Sequence, residues 1–108
     1  MSYDVWAEME TGNEPMSSEG INYTYNVSEM LTRASGKDRF IYDFLTGMTC
    51  KDAVPILREA IQKMEDNPKE YKKLNPSNDW GDYDGCLEFL KKIKNICVNF
   101  PNAIIKSC

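Results

Sequence analysis

The sequence predicts an α+β protein in which a small antiparallel sheet, made of two N-terminal strands and one C-terminal strand, carries three to four helices on one face. Three observations predict this class. Residues 3–26 hold two stretches in which apolar and polar side chains alternate, the pattern of half-buried strands. Residues 27–99 repeat apolar side chains at spacings of three and four, which is helical. A short apolar stretch at residues 102–107 supplies the last strand.

The two N-terminal strands are predicted at residues 3–10 and 21–26. Residues 11–20 contain Gly, Pro and Ser and are predicted to form a loop. Ten residues are few for a helical crossover, so the two strands are predicted to pair antiparallel. Asn22 and Thr24 lie on the polar face of the second strand. The apolar positions are Tyr3, Val5, Ala7 and Met9 in the first strand and Ile21, Tyr23 and Tyr25 in the second.

The helices have recognisable start signals. Asn26 is predicted to cap the first helix, with Glu29 as its capping-box partner. Thr49 with Asp52 forms a second such arrangement. Pro55 then requires either a kinked first turn or a helix that begins near Val54. The predicted helices span residues 27–35, 37–47, 50–67 and 83–99, with a short extra turn at 68–74.

The length and the charge of the chain limit the number of domains and the classes of partner that we expect. A chain of 108 residues is predicted to form one domain, residues 1–108. The formal charge is −4, from 17 acidic and 13 basic residues, which works against binding to nucleic acid or to anionic membranes. The opening "MSYDVWAEMETG" has neither a basic start nor an apolar run, so we expect no signal peptide and a cytoplasmic location.

The residue counts also argue against several chemistries. The sequence contains no histidine, which excludes Ser-His-Asp and Cys-His nucleophile systems and nearly all catalytic zinc sites. Four cysteines occur without a C-x-x-C motif, at Cys50, Cys86, Cys97 and Cys108. We expect reduced thiols, with Cys86 and Cys97 as core residues; a redox pair is the alternative. The sequence therefore predicts a protein that is not an enzyme and needs no cofactor.

The segment at residues 75–85, "NPSNDWGDYDG", is unusually rich in aspartate and glycine. It does not fit an EF-hand loop, whose ligand positions it fails to supply. If Gly81 caps the last helix, Asp82 and Asp84 fall in the first turn, where carboxylates are favoured by about 0.3–1 kcal/mol each. The alternative is a magnesium site, or a carboxylate hydrolase, built from Asp79, Asp82 or Glu88.

Gly81 and Gly85 are four residues apart and would expose bare backbone on one helix face. A helical glycine costs about 1 kcal/mol relative to alanine, so something must offset it. Either another part of the chain, such as the second strand, packs there, or a partner or ligand does. Trp80 has two interpretations as well: a hydrophobic lid on the core, or an anchor for a partner.

Two motifs give the chain a family likeness. The first, N-x-T-x-N-hydrophobic-x-x-Met, covers Asn22, Thr24, Asn26 and Met30. The second is an N-P-x-N-G-W-G-x-Tyr box, from which the chain departs at Asp79, where the pattern has glycine. Its matching positions are Asn75, Pro76, Asn78, Trp80, Gly81 and Tyr83. Through these motifs residues 21–100 resemble a family of small uncharacterised proteins of bacteria and their phages. The resemblance implies a phage or prophage setting and carries no activity.

The sequence and the resemblance together predict a non-enzymatic phage or prophage accessory protein. It would act in the bacterial cytoplasm by binding a host protein, such as a component of bacterial defence. The alternative is a protein that binds a small molecule or a nucleotide signal. The predicted binding residues are Asn22, Thr24, Asn26, Asn78, Trp80, Gly81, Asp82 and Gly85.

Overall fold

The computed structural model describes residues 2–11 and 14–108. It has a small antiparallel sheet and several helices, so the predicted α+β class is confirmed. The strands are β1 (Ser2–Thr11), β2 (Glu14–Ser17), β3 (Ile21–Thr24) and β4 (Ile104–Ser107). The helices are α1 (Ser28–Ser35), α2 (Cys50–Asp66), α3 (Pro68–Lys72) and α4 (Tyr83–Asn99), together with a 3₁₀ turn (Tyr25–Val27) and a π-helical turn (Phe40–Leu45).

Strand β1 is the centre of the sheet and pairs antiparallel with the other three strands. Its first residues pair with β3, its middle with β4 and its last residues with β2. The amide of Cys108 donates to the Asp4 carbonyl at 2.9 Å, and the amide of Ser18 donates to the Ala7 carbonyl at 2.8 Å. Asp4 and Ala7 are an odd number of residues apart, so their carbonyls point to opposite edges of β1. Strand β4 therefore lies on one edge, and β2 and β3 follow each other along the other.

Residues between β2 and β3 form a bulge. Glu8 pairs with Ser17, and Val5 pairs with Ile21. The chain therefore advances by four residues from β2 to β3 (17 to 21) where β1 advances by only three (8 to 5). The extra residue falls in the stretch 18–20, as in a β-bulge. Such a bulge bends the strand and separates β2 from β3.

Residues 14–17 form strand β2, so the prediction of a loop over residues 11–20 is wrong for these four residues. Pro15 is the reason that the sequence indicated a loop and not a strand at this position. In the observed register Pro15 lies opposite Glu10, whose backbone groups point to the other edge of β1. The proline nitrogen therefore points away from β1, where the missing N–H removes no bond of the ladder.

The first helix starts differently from the prediction. Strand β3 ends at Thr24, and the Thr24 hydroxyl accepts the Asn26 amide at 3.3 Å to cap the 3₁₀ turn. Helix α1 begins only at Ser28 and has no side-chain cap. The prediction that Asn26 caps this helix is wrong, because the intervening 3₁₀ turn moves the start of the helix beyond its reach.

Helix α2 begins at Cys50 although Pro55 lies inside it, so a start near Val54 is wrong. The Thr49 side chain makes no capping bond either. The free amides of the first turn are satisfied by the chain end instead, since Cys50 donates to the Ala103 carbonyl at 2.8 Å and Lys51 to the Pro101 carbonyl at 2.9 Å. The long-range partners fix this helix start.

The core lies between the sheet and the helices. Tyr3, Val5 and Ala7 face it from β1, and the Phe89 ring of α4 stacks on Tyr3 at a centroid distance of 5.9 Å. The Tyr83 hydroxyl donates to the Met64 carbonyl at 2.7 Å, which joins the start of α4 to the end of α2. No helix within the described ranges is long and apolar enough to cross a membrane.

All four cysteines are free thiols, and Cys50, Cys86 and Cys97 are buried while Cys108 is exposed. The prediction of Cys86 and Cys97 as core residues is confirmed. Burial raises the pKa of Cys86 to about 12, and burial likewise raises the pKa of Cys50. Thiols with raised pKa values carry little thiolate near neutral pH and react slowly.

We therefore expect one thiol to react rapidly with Ellman's reagent in the native protein and all four to react after denaturation. The fast thiol should be Cys108, so a Cys108→Ser variant should show no fast phase. A second thiol that reacts in the native protein as fast as Cys108 would contradict the burial of the other three.

Candidate functional site

The two glycines at the start of α4 lie against β3. A Cβ on Gly81 would come 2.5 Å from Thr24 Cγ2 and 3.0 Å from Val27 Cγ1. A Cβ on Gly85 would overlap the Tyr23 hydroxyl and come 2.6 Å from Tyr23 Cζ. The structure thus supports the first interpretation of the glycine pair, in which the second strand packs on the bare backbone.

Tyr23 connects the strand to the helix entry. Its hydroxyl accepts the Asp82 amide at 3.1 Å, and its ring packs on Phe89 at a centroid distance of 5.6 Å. Burial raises the pKa of Tyr23, while the bond from the Asp82 amide lowers it. The sequence analysis placed Tyr23 only on the apolar face of a strand. The spacing of Gly81 and Gly85 is the sequence feature that indicates this contact, because the two bare positions leave room for one flat ring.

The cap of α4 is Asp82. Its Oδ1 accepts the Gly85 amide at 2.7 Å, so the condition that Gly81 caps the helix is not met, and of the two aspartates only Asp84 lies in the first turn. Gly81 has φ +94° and Asp79 has φ +60°, both in the left-handed region. The glycine of the family pattern at position 79 would suit that geometry. No three acidic or thiol side chains in the ranges described lie close enough together to hold a metal ion.

Trp80 is 68% exposed, so its interpretation as a lid on the core is wrong. The core is closed at this point by backbone, since Gly81 lies directly against Thr24 and Val27. The turn that carries the ring is nevertheless fixed: the Trp80 amide donates to Asn78 Oδ1 at 3.1 Å. The structure therefore presents a large aromatic side chain to solvent on a turn held at both sides.

The remaining predicted site residues use their side chains locally. Asn22 donates from Nδ2 to Asp4 Oδ1 at 2.8 Å and to the Tyr3 carbonyl at 3.1 Å. Asn26 donates from Nδ2 to Thr24 Oγ1 at 3.2 Å. Side chains alternate along a strand, so Asn22 points away from α4 whereas Tyr23 points toward it. The structure brings Thr24, Gly81, Asp82 and Gly85 together and places the Asn22 side chain on the other face of the sheet.

A groove runs between β3 and α4. One part has a volume of about 370 Å³ and a second part about 180 Å³. Both parts are lined by Ile21, Asn22 and Lys92. Glu19, Gly20, Asn95 and Ile96 complete the larger part, and Tyr23, Gly85, Glu88 and Phe89 complete the smaller part. The sequence analysis did not find this groove, because its two walls come from elements that are 60 residues apart or more along the chain.

Comparisons of the chain with protein-family models, with curated proteins and with solved structures find no match. Two features of the structure point to function, the Trp80 turn and the groove beside β3. These two features are contiguous through Gly85, which lines the groove and is bonded to the cap residue Asp82.

Proposed function

We propose that this chain is a non-enzymatic binding module whose partner is a protein. The observation that carries the proposal is the exposed indole of Trp80 on a fixed turn. Tryptophan is enriched among the few residues that dominate the energy of protein interfaces. The backbone of the Trp80 turn is already ordered by the bond to Asn78, so binding does not have to order it, which favours affinity.

The surroundings of Trp80 suit a protein partner. Asp79, Asp82 and Asp84 lie within four residues of it and are exposed. An apolar centre with a polar rim is the usual composition of a protein interface. The partner surface that fits would offer an apolar pocket for the indole and basic side chains around it.

The biological setting of the proposal rests on the family resemblance. A protein of a phage or prophage meets the proteins of its host in the bacterial cytoplasm, and a component of bacterial defence is the partner class we propose. The acidic balance of the chain, −4 overall, is compatible with a basic partner surface.

The test is site-specific photo-crosslinking in a bacterial lysate. A photoreactive phenylalanine analogue replaces Trp80 in one preparation and Phe100 in a second. Phe100 is the matched control because it is also exposed, at 44%, and lies at the other end of α4. We expect one bacterial protein to crosslink at position 80 and not at position 100. The same products at both positions, or none at position 80, would contradict the proposal.

The protein identified in that way then allows a quantitative prediction. Trp80→Ala should weaken its binding at least about tenfold, as for a residue at the centre of an interface. The variant should change the free energy of unfolding by no more than about 0.5 kcal/mol, because the side chain is exposed. Titration calorimetry and urea denaturation measure the two quantities. Unchanged affinity with an intact fold would remove Trp80 from the interface.

A second candidate function is binding of a small molecule such as a nucleotide signal. The observation that favours it is the larger part of the groove, whose volume of about 370 Å³ lies in the range of small-molecule sites, about 300–1,000 Å³. Glu19, Lys92 and Asn95 supply polar side chains there, whereas Thr24 and Trp80 do not line it. A rise in the thermal midpoint with one nucleotide and not with others would support this candidate.

A further inference from the structure

We propose that the partner binds through an extended segment that adds a strand to the outer edge of β3, over the groove along α4. This inference rests on the protein-binding function proposed above and specifies how the partner is held. Strand addition uses backbone hydrogen bonds for affinity and alternate side-chain contacts for selectivity.

The outer edge of β3 offers the backbone groups that such a segment needs. The Asp4 carbonyl points toward β4, so the backbone groups of Tyr3 and Val5 point toward β3. Their partners Tyr23 and Ile21 point back toward β1. The N–H and C=O of Asn22 therefore point outward, and β3 pairs with no strand other than β1 in the part of the chain that the structure describes.

The groove determines where the side chains of an added strand would go. Its walls are β3 and the outer side of α4, and its two parts meet at Ile21, Asn22 and Lys92. Side chains of a strand alternate between its two faces. Every second side chain of the added segment would enter the groove toward Lys92 and Ile96, and the others would lie on the face that carries the Asn22 side chain.

The length and charge of the segment follow from the same residues. Strand β3 has four residues, and the bulge at residues 18–20 ends the regular edge, so the paired part of the partner is short. Lys92 lines both parts of the groove, whereas Glu19 lines only the larger part and Glu88 only the smaller part. None of the acidic groups described in the structure lies within salt-bridge distance of Lys92. We therefore expect a carboxylate side chain at the centre of the segment, facing Lys92.

The experiment uses a displayed library of random linear peptides of about eight residues, which is within the usual range of strand lengths of about 3–10 residues. Selected peptides are titrated against the wild-type chain, Asn22→Ala and Asn22→Pro. The two variants lose the same side-chain bonds to β1, but only proline removes the outward N–H. It removes no bond of the β1–β3 ladder, because that N–H points away from β1. Thermal melting of both variants verifies the fold.

We expect Asn22→Pro to bind at least about tenfold more weakly than Asn22→Ala, which would be a difference of about 1.4 kcal/mol. We also expect the selected peptides to carry a carboxylate at their centre, with Lys92→Glu reversing the preference at that position. If Asn22→Pro does not fold, peptides N-methylated at alternate positions replace it. Methylation on the residues whose N–H faces β3 should abolish binding to the wild-type chain, and methylation on the others should not.

Three results would overturn the inference. Equal binding to Asn22→Pro and Asn22→Ala would show that peptides bind without the β3 edge. A library that yields no binder would show that the edge takes no linear segment. A wild-type dimer that Asn22→Pro converts to a monomer, measured by sedimentation, would assign the edge to a second copy of the chain. None of these results affects crosslinking at position 80, so failure of strand addition is separable from failure of the proposed function.

Discussion

Gly81→Ala is expected to lower the free energy of unfolding by about 2–6 kcal/mol. Two effects add. The backbone at Gly81 has φ +94°, where a residue with a Cβ is strained by about 1–3 kcal/mol. The new methyl group would also lie 2.5 Å from Thr24 Cγ2, and such overpacking costs about 1–3 kcal/mol. Urea denaturation monitored by circular dichroism measures the loss.

Two further variants separate these effects. Gly36→Ala is the control for strain alone, because Gly36 has φ +73° and nothing lies within 4 Å of its added Cβ. Combining Gly81→Ala with Thr24→Ser removes the clashing methyl group and keeps the hydroxyl that caps the 3₁₀ turn. The double variant should recover the overpacking part. A loss in Gly81→Ala no larger than in Gly36→Ala would show that the strand and the helix entry are not in tight contact.

Gly85→Ala should lower the free energy of unfolding by about 1–3 kcal/mol, although alanine is the better helix former by about 1 kcal/mol. The added Cβ would displace the Tyr23 ring, whose Cζ lies 2.6 Å from it, and would break the hydroxyl bond to the Asp82 amide. It would also come 3.1 Å from the Asp82 carboxylate that caps the helix. The steric terms exceed the gain in helix propensity.

Gly85→Ala should stabilise the protein instead of destabilising it when the Tyr23 ring is absent. In a Tyr23→Leu background the side chain ends before the position of the hydroxyl, and it keeps an apolar contact with Phe89. Gly85→Ala should then raise the free energy of unfolding by up to about 1 kcal/mol, the ordinary helix propensity. A double-mutant cycle from denaturation curves gives the coupling energy. A cycle with no coupling would show that Tyr23 does not pack on Gly85.

The sequence was sufficient for the fold class because the core residues follow regular periods. Tyr3, Val5 and Ala7 alternate as in a half-buried strand, and α4 repeats its apolar residues at helical spacing. The sequence did not predict strand β2, because backbone pairing with β1 does not require alternating apolar and polar side chains. Pro15 also indicated a loop at this position. The helix starts were wrong by a few residues where distant partners, such as Ala103 for the Cys50 amide, decide the boundary.

Less of the candidate site was predictable. The spacing of Gly81 and Gly85 correctly indicated a close approach, because only contact with another element offsets two bare positions. The exposure of Trp80 was not predictable, since a helix entry accommodates an aromatic ring turned either way. The groove depends on how α4 lies beside β3, and no local stretch of sequence carries that information.

The central position of β1 has a consequence for how the protein is made. Val5 pairs with Ser107, a separation of 102 residues (107 minus 5), so β1 is synthesised well before its partner β4. Long separations between contacting residues slow folding, because a large loop must close before the contact forms. One edge of β1 therefore stays unpaired until residue 107 has emerged, and an unpaired strand edge makes a nascent chain prone to aggregate during translation.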